Sequence, residues 1–344
     1  MKAARLHEFK KPLIIEEIDL PKIRDDEGVL IRIAGAGVCH TDLHISKGEE
    51  ELGLKLPLIL GHENAGYIYE TGSNVENFKK GDPVIVYGAW GCKNCEFCRR
   101  GEENLCDEMR GPGLSEFQGG YAEFMYVPSY RYLIKVDEDP TFLAPLTDAG
   151  LTSYRAVKKA RNFLKPGDFA LILGIGGLGM FGLSYAKILG NSYLIAADVI
   201  DEKLKISENL GADFTVNTKH IESAIKEIMR ITNKKGCRVI LDFVGSDSTI
   251  KLALECLSKE GIYIVVGVGG GRIRDFLASN LLSEAIITGN IWGSYNELVE
   301  VYNIYKAKKL RLEGLIKIRR LEEINEVFEE MNRGSLIGRV VLKP

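Results

Sequence analysis

Four cysteines, Cys92, Cys95, Cys98 and Cys106, stand in the spacing C-x2-C-x2-C-x7-C. No other feature limits the local fold of this chain so tightly. A thiolate is a strong zinc ligand, and two-residue spacers let one tight loop turn several sulfurs toward one point. Gly88, Gly91 and Gly101 supply turns around the run. It reads as a tetrahedral four-thiolate zinc site, with no position left open for chemistry. Three other readings of the same residues stay open: a pair of disulfides, an iron–sulfur site, or a surface accident. Disulfides need an oxidising compartment, and two-residue gaps suit clean pairing poorly. An iron–sulfur cluster usually brings other sequence context.

The chain has 344 residues, for which two domains are the natural expectation. A hydrophobic fraction of 45% can fill a large core, and a net charge of −3 gives no global basic field, which argues against nucleic acid as a partner. No run of about 18 uncharged apolar residues occurs, so no membrane span is expected. The first residues, Met1 to Glu8, lack the apolar core of a secretion signal. Seven cysteines, four of them clustered like ligands, fit a reducing cytoplasm. Charged residues make up 27% of the chain, a weak sign of thermophily because ion-pair networks gain value when hot.

Residues 1 to about 150 are rich in glycine, turns and short strand-like runs such as Val29–Ala34 and Asp82–Tyr87. This half reads as an irregular β domain. The texture changes near residue 152. A helix is expected over Thr152–Ala160, and then apolar runs at Phe169–Leu173, Tyr193–Ala197, Arg238–Val244, Ile262–Val268 and Ile286–Trp292 alternate with helical patterns. Near-continuous apolar strands alternating with helices indicate a parallel sheet covered on both faces. The tail from about Gly293 holds two amphipathic helices and a last strand, Arg339–Leu342.

Gly174-Ile175-Gly176-Gly177-Leu178-Gly179 is G-x-G-x-x-G, and Asp198 ends the next expected strand 19 positions after Gly179. The first glycine permits a tight turn, the second lets backbone approach a pyrophosphate, and the third allows close helix–strand packing. The helix N-terminus presents free N–H groups and a positive dipole end to phosphates. Asp198 is expected to accept hydrogen bonds from the adenosine ribose. A 2′-phosphate would meet its charge, and Val199, Ile200 and Asp201 bring no arginine, so NAD is favoured over NADP. A glycine-rich turn of an ordinary α/β fold is the plain alternative.

Cys39 lies outside the cysteine cluster, and His62 follows 23 positions later in Gly61-His62-Glu63. One Cys and one His supply two ligands of an open zinc site, and a third must come from elsewhere.

Taken together, Cys39-His40-Thr41-Asp42, Gly61-His62-Glu63, the four-cysteine lobe and Gly174–Gly179, in that order, resemble the zinc-dependent medium-chain alcohol dehydrogenases. The resemblance covers essentially the whole chain, to Ile337-Gly338-Arg339. It implies a GroES-like β-rich catalytic domain, residues 1–151 and 293–344, split around an NAD-binding Rossmann domain with a doubly wound parallel sheet, residues 152–292. The active site would lie between them. Many members carry a third cysteine ligand before the Rossmann domain; here Asp148 occupies that place, as in a secondary-alcohol branch of the family. Zn²⁺ with one thiolate, one neutral imidazole and one carboxylate sums to zero charge, and the harder carboxylate leaves the metal slightly more Lewis acidic. The alternative is that Asp148 caps the following helix.

The resemblance implies reversible oxidation of primary or secondary alcohols to aldehydes or ketones by NAD, with one catalytic and one structural zinc per chain. Thr41 would bond the reacting oxygen and pass its proton through the nicotinamide ribose to His44; a surface histidine is the alternative there. Asp42 would orient His62. Glu63 would approach the metal during ligand exchange, or serve a salt bridge. His40 and Arg339 resemble pyrophosphate contacts and Lys203 a ribose contact, Thr152 would meet the nicotinamide, and Val268 counts among the cofactor-binding positions. Trp90 and Trp292 would wall the substrate pocket, unless they are packing residues. Relatives form dimers or tetramers, so a homo-oligomer in the cytoplasm is expected, with a small alcohol, aldehyde or ketone as partner. A polyol, sugar or threonine dehydrogenase of the same fold is one rival. A non-catalytic, zinc-free relative is another.

Overall fold

The computed structural model describes residues 1–49, 53–274, 283–312 and 314–344. The chain divides into two compact units. One comprises Met1–Ala149, Gly293–Asn303 and Arg311–Pro344, and the other Gly150–Trp292 with Ile304–Leu310. The division departs from the expected boundaries chiefly at Ile304–Leu310, which cluster with the second unit.

In the first unit a sheet runs in the order Ile316–Arg320, Arg339–Lys343, Val29–Gly37, Glu63–Thr71, Pro83–Val86, Leu133–Lys135, and Phe124–Val127 also pairs with Val29–Gly37. Val29–Gly37 is the organising strand. Eight of its nine residues are buried, and it is longer than the Val29–Ala34 expected from apolar residues alone. Three small residues, Gly35, Ala36 and Gly37, carry it on. The register matters for everything that follows. Gly37 stands opposite Glu63 in an antiparallel pair, and Val341 stands opposite Gly37 on the other side. Residues just after Gly37 and just before Glu63 are therefore neighbours, although they are distant in sequence. A one-residue slip would turn each of their side chains to the other face.

The second unit holds a parallel sheet in the order Phe214–Asn217, Tyr193–Asp198, Phe169–Leu173, Cys237–Asp242, Leu257–Val265, Ile286–Gly289. The first strand in sequence sits inside, and the order reverses beside it. This is the doubly wound Rossmann arrangement, whose ligands bind outside the carboxyl ends of the strands at the reversal. Leu171, Leu173, Ile195, Ile240 and Tyr263 form the core, all nearly inaccessible to solvent. Truncating Leu171 to alanine should cost about 2–5 kcal/mol.

Three local expectations need correction. The helix begins at Ala149 rather than Thr152, straight out of the 3-10 segment Pro140–Thr147. The run Ile286–Trp292 is a strand only to Gly289: the Asn290 amide still bonds the Val265 carbonyl at 2.9 Å, but Trp292 has φ of 45°, a left-handed turn that ends extended backbone. The run Ile262–Val268 is strand over Leu257–Val265, and Val268 lies beyond it in a glycine-rich loop. No helix among the described residues is long and apolar enough to cross a membrane.

Candidate active site

The strand register brings Cys39 and His62 together, and the segment ending at Thr147 delivers Asp148 to them. Cys39 Sγ lies 3.6 Å from Asp148 Oδ2, and His62 Nε2 lies 3.3 Å from the same oxygen. One ligand atom from each residue falls within 4.8 Å of both others. The edges of a tetrahedron around zinc are about 3.5 Å for sulfur to oxygen and about 3.3 Å for nitrogen to oxygen, given ordinary bond lengths. The donor set and its spacing therefore fit zinc. The electrostatics agree. Burial opposes charge on His62, yet the Asp42 carboxylate, then hydrogen bonds with Asp148, Asp42 and Cys39, hold its pKa well above the usual histidine value. The pocket favours a cation.

The first N–H of the helix, that of Ala149, donates to Glu63 Oε1 at 2.8 Å. Glu63 is fully buried and forked onto Arg339, whose Nε donates at 3.0 Å to Oε2 while Nη2 donates to Oε1. Burial pushes the Glu63 carboxyl up to about 7, and the Arg339 charge pulls against that rise. Both residues thus have structural work. Arg339, expected at a pyrophosphate, is 3% exposed and also stands 3.7 Å from Asp148 Oδ2. Glu63 is held by the salt bridge that was the alternative reading.

Asp42 meets His62 as expected. His62 Nδ1–H donates to Asp42 Oδ1 at 3.1 Å, which turns Nε2 toward Cys39 and Asp148. The Cys39 amide and the Tyr121 hydroxyl donate to Asp42 Oδ2 at 3.0 and 2.7 Å. Thr41 Oγ1 lies 3.7 Å from Cys39 Sγ. His44 is one turn further along the helix His40–Ser46, part-exposed, with Nδ1 2.5 Å from Glu49 Oε2. His40 is exposed at the start of that helix.

The four-cysteine lobe also closes on one point. Its sulfurs come within 4.8 Å of one another, and Cys92 Sγ lies 4.0 Å from Cys98 Sγ against about 3.8 Å for a four-thiolate zinc. Backbone N–H groups of Asn94 and Cys95 donate to Cys92 Sγ at 3.4 and 3.3 Å, and the Cys98 N–H donates to Cys95 Sγ at 3.4 Å. The Asn94 and Cys95 amides lower the Cys92 thiol to about 7, while burial raises Cys98 to about 12. A single thiolate is stabilised by backbone; several at once need a cation. Trp90 belongs to this lobe as packing. Its ring stacks on Tyr132 at 5.5 Å and meets Phe117 edge-on, and its N–H donates to the Tyr87 carbonyl at 2.6 Å.

In the second unit, Gly174–Gly179 spans the end of Phe169–Leu173 and the start of the helix Gly177–Leu189. A Cβ on Gly179 would stand 1.8 Å from the Gly174 carbonyl oxygen, so only glycine permits this helix to sit so close to the strand end. Asp198 is buried at the end of its strand, with Oδ2 accepting from the Ile175 N–H at 2.7 Å and Oδ1 from the Ile200 N–H at 3.0 Å. Each oxygen keeps a lone pair for a further donor. Lys203 is half-buried on the helix Asp201–Asn209. Val268 is 65% exposed on a loop braced by the Gly269 N–H on the Val244 carbonyl and the Gly271 N–H on the Gly245 carbonyl. Thr152 is buried, and its carbonyl accepts from Asn290 Nδ2 at 3.0 Å. Trp292 is buried. The sequence marks neither Tyr121 nor Glu49, and it does not show that Arg339 is the partner of the Glu63 salt bridge. Only the paired glycines before Tyr121 hinted at a close backbone approach.

Comparison with known proteins agrees with this geometry. Residues 25–138 match the alcohol dehydrogenase GroES-like domain, and residues 177–307 match the zinc-binding dehydrogenase domain. The NAD-dependent alcohol dehydrogenase of Saccharolobus solfataricus is 38% identical, with 100% of each chain covered. The D-arabinose 1-dehydrogenase (NADP(+)) of the same organism is 37% identical over 100% of this chain and 97% of its own. The crystal structure of the alcohol dehydrogenase from the hyperthermophilic archaeon Aeropyrum pernix superposes with a TM-score of 0.94 at 44% identity, with both chains covered completely. With both domain families matched in order and full-length relatives above a third identical, the chain belongs to the zinc-dependent medium-chain alcohol dehydrogenase family.

Proposed function

We propose that this chain is a zinc-dependent, NAD-linked alcohol dehydrogenase that interconverts primary or secondary alcohols with aldehydes or ketones. The observation that carries the reading is the convergence of Cys39, His62 and Asp148 within 4.8 Å of one another, with Cys39 Sγ and His62 Nε2 each at a tetrahedral edge from Asp148 Oδ2. These three residues would hold the catalytic zinc, and Cys92, Cys95, Cys98 and Cys106 the structural one. When bound, zinc supplies Lewis acidity toward the alcohol oxygen and NAD supplies the hydride acceptor.

The chain's own groups do the rest. The Thr41 hydroxyl, 3.7 Å from Cys39 Sγ, would accept the alcohol's proton while giving up its own toward the nicotinamide ribose of bound NAD. His44, three residues along the same helix, would take that proton on Nε2 and release it to water, with Nδ1–H donating to Glu49. The amides at the start of Gly177–Leu189 would hold the pyrophosphate of NAD, and Asp198 would favour an unphosphorylated ribose. Asp42 keeps His62 in the tautomer that turns Nε2 toward the metal.

One observation favours a second reading. A relative of nearly equal similarity is named a D-arabinose 1-dehydrogenase that uses NADP. The Asp198 carboxylate counts against a 2′-phosphate in this chain. A panel of primary, secondary and polyhydroxy alcohols, each with NAD and NADP, separates the two. Turnover of simple alcohols with NAD is expected; preference for an aldose with NADP would overturn the reading.

A further inference from the structure

We propose that Tyr121 is a positioning residue for the catalytic metal site, acting through Asp42 on His62 and clamping the backbone that carries this ligand. The proposal rests on the assignment of Cys39, His62 and Asp148 as the ligands of that site.

Two independent sets of contacts carry it. The first is a hydrogen-bond chain. Asp42 is fully buried, and its carboxylate accepts four donors: His62 Nδ1–H and the Gly61 N–H on Oδ1, at 3.1 and 3.2 Å, and the Cys39 N–H and Tyr121 O–H on Oδ2. Tyr121 makes the shortest of the four, 2.7 Å, and is the only one of these donors from a segment that bears no ligand. Its hydroxyl has one proton to give, and the other nearby acceptor, the Gly37 carbonyl, is more distant at 3.4 Å. The phenol therefore fixes the plane in which Asp42 meets the imidazole. Without the phenol, Oδ2 keeps only the Cys39 N–H at 3.0 Å, so the carboxylate is held less firmly and the imidazole on Oδ1 is oriented less sharply.

The second set is steric and main-chain. Residues 119–121 zip against the residues just before His62. The Gly119 N–H donates to the Ile59 carbonyl at 2.8 Å, the Gly120 N–H to Gly61 at 2.9 Å and the Tyr121 N–H to Leu60 at 3.0 Å. The Tyr121 ring lies directly against Gly61, where a Cβ would come within 2.5 Å of it, and Gly61 has φ of 97°. Glycine at 61 thus lets the aromatic ring approach the ligand strand closely enough for its hydroxyl to reach Asp42. Tyr121 is itself fully buried, so this contact has no competition from water.

The test is Tyr121→Phe, which keeps the ring and removes one oxygen. Zinc affinity would be measured at both sites by chelator competition, with the four-cysteine site as an internal reference. Outer partners of metal ligands typically contribute roughly 10–100-fold in affinity. The expected result is a loss of about 10-fold at the catalytic site, no change at the four-cysteine site, and a changed visible spectrum when cobalt replaces the catalytic zinc. In an Asp42→Asn background, Tyr121→Phe should add little. Tyr185→Phe serves as control, because Tyr185 is equally buried and its hydroxyl has no hydrogen-bond partner among the described residues. Equal weakening at both zinc sites, unchanged affinity and spectrum, or full additivity with Asp42→Asn would overturn the proposal. A wild-type protein that binds one zinc would instead overturn the ligand assignment beneath it.

Discussion

Asp148 Oδ2 and His62 Nε2 stand 3.3 Å apart, at the separation of two neighbouring ligands on one zinc ion. His62 is held from behind by Asp42, while the amide after Asp148 is satisfied by Glu63. One metal edge is thus built from two residues whose supports come from different parts of the sequence: a helix start on one side and a buried ion pair on the other.

That ion pair should be essential to stability. Arg339 and Glu63 are both buried, so Arg339→Ala would strand a carboxylate away from water. A loss of about 3–5 kcal/mol in denaturant unfolding is expected. Arg339→Lys should recover only part of it, because an ammonium cannot reproduce the two-pronged fork. A change below about 0.5 kcal/mol would mean that the pair is not formed.

The cysteine lobe should be separable from the chemistry. Cys106→Ser is expected to lower zinc content by one ion per chain and to reduce thermal stability, because structural zinc contributes directly to folding. NAD binding by the glycine loop should persist. Differential scanning calorimetry and cofactor titration together check this; loss of NAD affinity with zinc retained would contradict it.

Cofactor choice should follow Asp198. Asp198→Asn removes the charge while leaving an acceptor for the Ile175 or Ile200 amides. NAD affinity should fall about 10-fold, the scale of one charged hydrogen bond, and discrimination against NADP should relax. Fluorescence titration with both cofactors reads the ratio; an unchanged ratio would contradict the role.

His44 should set the rate of proton exit. His44→Gln is expected to slow turnover at least about 10-fold, less than the loss of a buried general base because the site is reached by solvent. Added imidazole should restore part of the rate. A variant as fast as the parent would reassign the relay.

Much of this site is legible in the sequence. The Rossmann strands announce themselves because both faces are buried, which leaves unbroken apolar runs, and the glycine loop because each glycine answers a steric demand. Cys39 and His62 are visible as residue types, but their meeting depends on the pairing of Gly37 with Glu63, which no local pattern encodes. Asp148 stood out only by resemblance, since a carboxylate before a helix is ordinarily a cap. The Glu63–Arg339 fork spans 276 positions and leaves no periodic trace. Strand ends are poorly encoded where conformation overrides composition: small residues prolong Val29–Gly37, and the apolar run Ile286–Trp292 is strand only to Gly289, with Trp292 left-handed.

Metal content of the Asp148→Ala variant, measured by plasma mass spectrometry beside the parent, is the most direct measurement. The parent should hold two zinc ions per chain. Asp148→Ala should hold one and lose NAD-linked alcohol oxidation while keeping its circular dichroism, and Asp148→Cys should hold two. Full activity of Asp148→Ala with two zinc ions retained would contradict the assignment of Asp148 as a ligand.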